Sequence, residues 1–271
     1  MVLGFAYVYR MTGSIEPVSA VLVVLASLCV DMATTAFNSF FDYVKKVDSK
    51  QTNRESDKVL VHEGVPPAYA LITSVVLYGF AGVLGLILTF LHGWIILALG
   101  VASLAVGYLY SGGPYPISRT PVGELFAGGF LGSVLFMIVT LTQGLELSTV
   151  VFLASVPSLI HIASILTVNN TCDIQGDTLA GRHTLSILLG YRTSVILIVL
   201  QIVAAYGTIF LTVEPQLLTA GIALAGFFLS AHTMKSMIIQ GFTHETKGPS
   251  MGLISKSFMI YSIIYGVLLI L

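Results

Sequence analysis

The sequence predicts an all-α, polytopic membrane protein, and three observations carry that prediction. Of 271 residues, 56% are hydrophobic and only 9% are charged, where a soluble domain carries about 25% charged residues. Mean hydropathy is +0.94. The apolar residues gather into segments close to the length a helix needs to cross the hydrocarbon core, about 20 residues. A net charge of -1 offers no basic surface to nucleic acid, and Cys29 and Cys172 are too few for a structural zinc site.

Taken in chain order, the spans are expected near 18–41, 68–91, 93–110, 121–142, 147–169, 193–213, 216–235 and 250–271. Residues 2–12 are apolar but too short to cross, and look like the second half of a helix whose first half is absent. Counting that piece gives nine helices in a single domain over 1–271. Basic residues set the orientation. With alternating spans and a cytoplasmic start, the loops 43–67, 111–120, 171–192 and 236–249 are cytoplasmic. Of the 12 Lys and Arg residues, only Arg10 then falls outside. The predicted location is a multi-pass integral protein of a prokaryotic plasma membrane, surrounded by lipid, with its chemistry on the cytoplasmic side.

Two copies of one spacing stand at that side. Asn38 and Asp42 lie one helical turn apart at the end of the second helix, and Asp48 follows in the loop. Asn169, Asp173 and Asp177 form an i, i+4, i+8 stripe bordered by Asn170. The repeat hints at a duplicated four-helix unit. Carboxylates at the rim of an apolar protein need partners, and hard oxygen donors suit Mg²⁺ while leaving positions for phosphate oxygens. Lys45, Lys46, Arg54 and Lys58 surround the first motif, and Arg182 and His183 follow the second. Such cations complement a diphosphate that a metal alone leaves partly uncompensated. Each feature also has a plain structural reading: a helix cap, a solvated loop, or lysines that only mark the cytoplasmic side.

A third element, Tyr108-Leu-Tyr110-Ser-Gly-Gly-Pro-Tyr115-Pro116, breaks a helix into a tight loop and presents aromatic faces able to stabilise a cation. The alternative is an interfacial aromatic belt. Asp31 and Glu124 are acids within spans. His161 and His232 also lie within spans, where packing or a cavity role is expected, and the histidines do not cluster.

These stretches, AFNSFFDYVKKVD at 36–48, YSGGPYP at 110–116 and NNTCDIQGDTLAGRHTLSILLG at 169–190, resemble the UbiA superfamily of intramembrane prenyltransferases, most closely its naphthoate branch in menaquinone biosynthesis. The resemblance implies a UbiA-like bundle of nine transmembrane helices, the first apparently truncated. It implies Mg²⁺ held by Asn38, Asp42, Asp48, Asp173 and Asp177 on a polyprenyl diphosphate donor. Lys45, Lys46, Lys58, Arg182, Asn169 and Asn170 would bind the diphosphate. Asp42 and Asp173 would serve ionisation, and Tyr110 and Tyr115 would shield the allylic cation from water before a 1,4-dihydroxy-2-naphthoate ring attacks it. Ser39 and Cys172 depart from the family pattern, which often has Asp and Arg there, and the usual Arg-Pro element of the first helix is missing.

Other acceptors, including hydroxybenzoate, homogentisate or glycerol phosphate, would use the same chemistry. Membrane CDP-alcohol phosphotransferases are disfavoured by the lack of an Asp-Gly-x-x-Ala-Arg signature. A cation transporter predicts acids at the bilayer centre, whereas most acids here lie at span ends. A non-catalytic relative is the remaining alternative.

Overall fold

The computed structural model of the chain describes residues 1–45 and 59–271. Among the described residues the regular structure is all helical, with α1 Val2–Thr12, α2 Pro17–Val44, α3 Val59–His62, α4 Pro67–His92, α5 Trp94–Ser111, α6 Gly123–Ala127, α7 Leu135–Thr142, α8 Thr149–Cys172, α9 Ile174–Leu179, α10 Leu185–Leu189, α11 Tyr191–Gly207, α12 Leu217–Gln240 and α13 Lys247–Ile270. A π-helical segment, Gly128–Val134, joins α6 to α7, so that Gly123–Thr142 runs as one span. Among the described residues eight helices are long and apolar enough to cross a membrane. The 11 residues of α1 reach only about 16 Å, short of a ~30 Å hydrocarbon core.

The chain divides into two compact units, Pro17–Arg119 and a second made of Met1–Glu16 with Thr120–Leu271. Three spans belong to the first unit and five to the second. The division therefore does not follow the four-helix repeat that the doubled motif hinted at.

In the unit Pro17–Arg119, α2, α4 and α5 pack on one another. Pro17 and Pro67 open α2 and α4, where a missing N–H leaves no bond unmade. Gly107 lets the three helices meet: a Cβ there would lie 2.3 Å from Tyr78 Oη and 2.8 Å from Thr34 Oγ1. Tyr78 Oη donates to the Leu104 carbonyl at 3.2 Å. Phe37 packs edge-on to both Tyr78 and Tyr108, at 5.1 and 5.6 Å between ring centroids. At 28 residues, α2 is about 42 Å long. Its last turns, which carry Asn38 and Asp42, therefore extend past a length that only needs to cross lipid.

The second unit holds a broader core, built from α1, α7, α8, α11, α12 and α13 around Tyr206, Tyr261 and Tyr265. Its register is set where the π-helical segment lies against α8. A Cβ on Gly128 would stand 2.3 Å from the Leu159 carbonyl oxygen, and one on Gly132 would stand 2.6 Å from Leu159 Cα. Two glycines one turn apart thus let the backbones touch, the contact that small residues permit in lipid. Ser155 Oγ donates to Ser133 Oγ at 2.7 Å across the same seam. His161 is fully buried between Ser164 and Ser257, with Nε2 3.3 Å from Ser257 Oγ, a satisfied core histidine as expected. His232 is exposed instead, because it falls on the outward face of α12.

Candidate diphosphate site

The first motif sits on continuous helix. Asn38 accepts from the Ser111 hydroxyl through Oδ1 at 2.8 Å, and Ser111 is itself buried at the last turn of α5. Asp42 is buried one turn further. Lys45 Nζ donates to the carbonyls of Ser111 at 3.2 Å and Gly113 at 2.9 Å, and lies 5.2 Å from the centre of the Phe41 ring. Burial, together with the Arg119 charge, pushes Lys45 below the usual lysine value, against the pull of Asp42. The chain can present these carbonyls because Gly113 adopts φ 76, a left-handed conformation that side chains disfavour. Expected as a diphosphate ligand, Lys45 is here the tie that fixes the Ser-Gly-Gly loop to the end of α2.

Tyr110 is half-buried in the last turn of α5, while Tyr115 is 87% exposed. The described contacts seat Tyr108 in the aromatic cluster and leave the Tyr115 ring outside it. Lys46, Asp48 and Lys58, with Arg54, lie outside the described residues.

The second motif departs from the expected stripe. α8 stops at Cys172, Asp173 takes φ -104 and ψ 12, and a new helix begins at Ile174. One turn still links the acids, since Asp177 N–H donates to the Asp173 carbonyl at 2.8 Å. Asn169, however, belongs to a different helix from Asp177. The break follows from the polar run Asn-Asn-Thr-Cys-Asp, whose short side chains compete for backbone groups and favour helix ends.

Both oxygens of Asp173 are engaged by the segment leading into α13. His244 Nδ1 donates to Oδ1 at 2.9 Å, and Lys247 Nζ donates to Oδ2 at 2.6 Å. An ionised carboxylate only accepts, so the proton of this bond is on Nδ1. His244 is presented by a turn in which Thr246 Oγ1 donates to the Gly241 carbonyl at 2.8 Å. Asp177 is buried and pairs with Arg182, Nη1 to Oδ1 at 3.3 Å. Gly181, at φ 66, turns the chain so that Arg182 comes back over Asp177, and the Arg182 N–H donates to the Asp177 carbonyl at 2.9 Å. His183 is exposed.

Asn170, expected to border the acidic stripe, faces elsewhere. Its Nδ2 donates to Glu124 Oε1 at 2.9 Å, and both residues are buried. Asn169 Nδ2 approaches Asn170 Oδ1 at 3.4 Å.

Sequence reasoning missed His244 and Lys247. They stand 71 and 74 residues from Asp173, and Lys247 read only as a marker of orientation. The one signal available was the rule that an acid at membrane depth acquires a partner.

Among the described residues, no three His, Cys, Asp or Glu side chains gather around one point able to hold a metal ion. The donor chemistry nevertheless fits Mg²⁺, which takes one or two carboxylates and completes its shell with water and substrate phosphates. Asp173 and Asp177 each meet cationic side chains in this structure. A metal and a polyanion arriving together can exchange with those contacts without stranding a buried charge.

The chain matches the UbiA prenyltransferase family over residues 1–240. It is 34% identical over 179 residues to the 1,4-dihydroxy-2-naphthoate octaprenyltransferase of Bacillus subtilis, covering 66% of this chain and 57% of that protein. It is 28% identical over 207 residues to UbiA prenyltransferase domain-containing protein 1 of Danio rerio, covering 75% and 60%. The matched stretch thus spans less than two thirds of the length of either relative. A UbiA homolog of Archaeoglobus fulgidus, solved bound to GPP and Mg²⁺, shares the fold with a TM-score of 0.69, covering 99% of this chain and 94% of that one at 15% identity. With most of its length matched and this fold, the chain belongs to the UbiA prenyltransferase family.

Proposed function

We propose that the protein transfers a polyprenyl group from a prenyl diphosphate to an aromatic acceptor within the membrane, and that the acceptor is 1,4-dihydroxy-2-naphthoate in menaquinone biosynthesis. The observation that carries the reading is the second motif. There, two carboxylates at the end of a membrane helix are matched by Arg182, His244 and Lys247, the mixed charge that a metal diphosphate requires. The Bacillus relative, named for this acceptor, supports naphthoate over hydroxybenzoate or glycerol phosphate.

In this reading Asn38, Asp42, Asp173 and Asp177, with Asp48, are the oxygen donors for Mg²⁺. The metal supplies Lewis-acid stabilisation of the departing diphosphate. Arg182, with Lys46 and Lys58, takes up the remaining charge. Lys247 and His244 join that set once the diphosphate competes for them, and Lys45 keeps the loop above α5 in place. The donor C1–O bond breaks, and the electron pair leaves with the diphosphate. Tyr110 and Tyr115 then lie against the allylic cation and exclude water. The ring carbon bearing the carboxylate forms the new C–C bond and expels carbon dioxide, whereas an acceptor with a free ring position loses a proton. The distribution of Lys and Arg supports a cytoplasmic orientation for this end, and the membrane in this reading is a prokaryotic plasma membrane.

The test is product formation by purified, detergent-solubilised protein given geranylgeranyl diphosphate and Mg²⁺ with either dihydroxynaphthoate or hydroxybenzoate. Metal-dependent product with dihydroxynaphthoate alone is expected. Product with hydroxybenzoate alone would keep the chemistry and overturn the acceptor.

A further inference from the structure

The Glu124 carboxylate is 3% exposed, in the first turn of α6. Oε1 accepts from Asn170, while Oε2 is buried and makes no hydrogen bond among the described residues. Leaving such an oxygen unsatisfied is costly, because it gives up its hydration for no protein partner. An apolar side chain would avoid that penalty, and an amide could turn either end to Asn170, so what a carboxyl group adds at this position is an oxygen facing Asn170 whichever way it is turned.

An amide can be turned end for end at little expense, and its partners decide which end is oxygen. With Glu124 Oε1 accepting, Asn170 turns its nitrogen to Glu124. Its oxygen then faces Asn169 and accepts from Asn169 Nδ2 at 3.4 Å. With the nitrogen of Asn169 so engaged, Oδ1 becomes the outward atom of a side chain one turn before Asp173. The carboxylate thus fixes the sense of two amides in series. The close seam at Gly128 and Gly132 holds α6 in the register against α8 that brings Glu124 to Asn170.

We propose that Glu124 is a positioning residue: through Asn170 it sets Asn169 with its oxygen outward, toward the metal and diphosphate. This rests on the prenyltransferase reading above and deepens it. Polar groups that orient ligands from behind typically contribute about 10–100-fold to affinity or activity.

The experiment measures equilibrium binding of geranylgeranyl diphosphate with and without Mg²⁺, beside KM, kcat and half-saturation by Mg²⁺, in the full chain, and binding is expected to change in step with KM. Glu124→Ala and Asn169→Ala should each raise KM and the Mg²⁺ requirement about tenfold, with a smaller change in kcat. The double variant should be no worse than Asn169→Ala, because the first residue acts through the second. Asn170→Asp, which sets two carboxylates against each other, should be the most impaired. Adding Glu124→Gln to it should rescue KM, since glutamine then donates to the new aspartate while Asn169 keeps its acceptor. Multiplying effects in the Ala pair, or failure of that rescue in a protein that still melts cooperatively, would overturn the inference. Asp173→Ala separates the two levels. If it matches the wild type, or if the wild type binds no prenyl diphosphate, the prenyltransferase reading falls and takes this inference with it. A metal-dependent wild type with an unaffected Glu124→Ala would sink the Glu124 role alone.

Discussion

At the end of α2, Asn38 and Asp42 lie on one unbroken helix whose neighbours are aromatic rings, the Ser111 hydroxyl and main-chain carbonyls gathered by Lys45. At the end of α8, the same spacing is cut at Asp173, and its acids meet Arg182, His244 and Lys247. The helices behind them differ as well. α8 buries a face from Val151 to Cys172, whereas α2, the longer helix, buries only Ser19, Val23, Ala33, Phe37 and Asp42. Equal spacing therefore does not give equal surroundings. In the first copy the described contacts tie Asn38 to a hydroxyl and Lys45 to main-chain carbonyls, and in the second they tie the acids to charge that a polyanion can draw away.

The comparison breaks most readily at the acids. Asp42→Ala and Asp173→Ala are each expected to lower kcat/KM about 10²–10³-fold, the scale on which preorganised electrostatic groups act. A loss confined to one of them would mean that the copies are not partners. Next in size is the seam beneath the second motif. Gly128→Ala forces a Cβ onto the Leu159 carbonyl oxygen and should destabilise the protein by about 1–3 kcal/mol, read as a lower unfolding midpoint in detergent. Gly82→Ala in α4, where a Cβ meets nothing within 4 Å, should leave that midpoint unchanged or slightly raised.

The lysines sharpen the contrast further. Lys247→Met removes a charged hydrogen bond from Asp173 and should raise KM for the donor about tenfold. Lys45→Met removes bonds to two neutral carbonyls, so its effect on KM should be nearer threefold. Equal effects would place Lys45 on the diphosphate, the role first expected from its sequence neighbourhood.

Apolar length made the spans legible: each expected segment has its helix, with ends displaced by a few residues. The π-helical segment was not legible, because Gly128 and Gly132 signal a close approach only once α8 is known to lie beside them. The break at Asp173 was legible in principle, since Asn-Asn-Thr-Cys-Asp is poor helix sequence, but regular four-residue spacing argued for continuity. Asn170 and Glu124 each stood out as polar groups in apolar surroundings, yet nothing local paired them across 46 residues. His244 and Lys247 carried even less signal. Charge at a loop end is ordinary, and only the tertiary fold turns it toward Asp173.

The proposed function needs both Asp42 and Asp173 for binding of the metal diphosphate, and equilibrium binding tests that need most directly. Binding of geranylgeranyl diphosphate would be measured with and without Mg²⁺ for the wild type, Asp42→Ala, Asp173→Ala and the double variant. Each single variant is expected to lose the Mg²⁺-dependent part of the affinity and the double variant to lose no more, because groups acting as a unit are not additive. Mg²⁺-dependent binding that survives in either single variant, or losses that multiply in the double variant, would contradict that need.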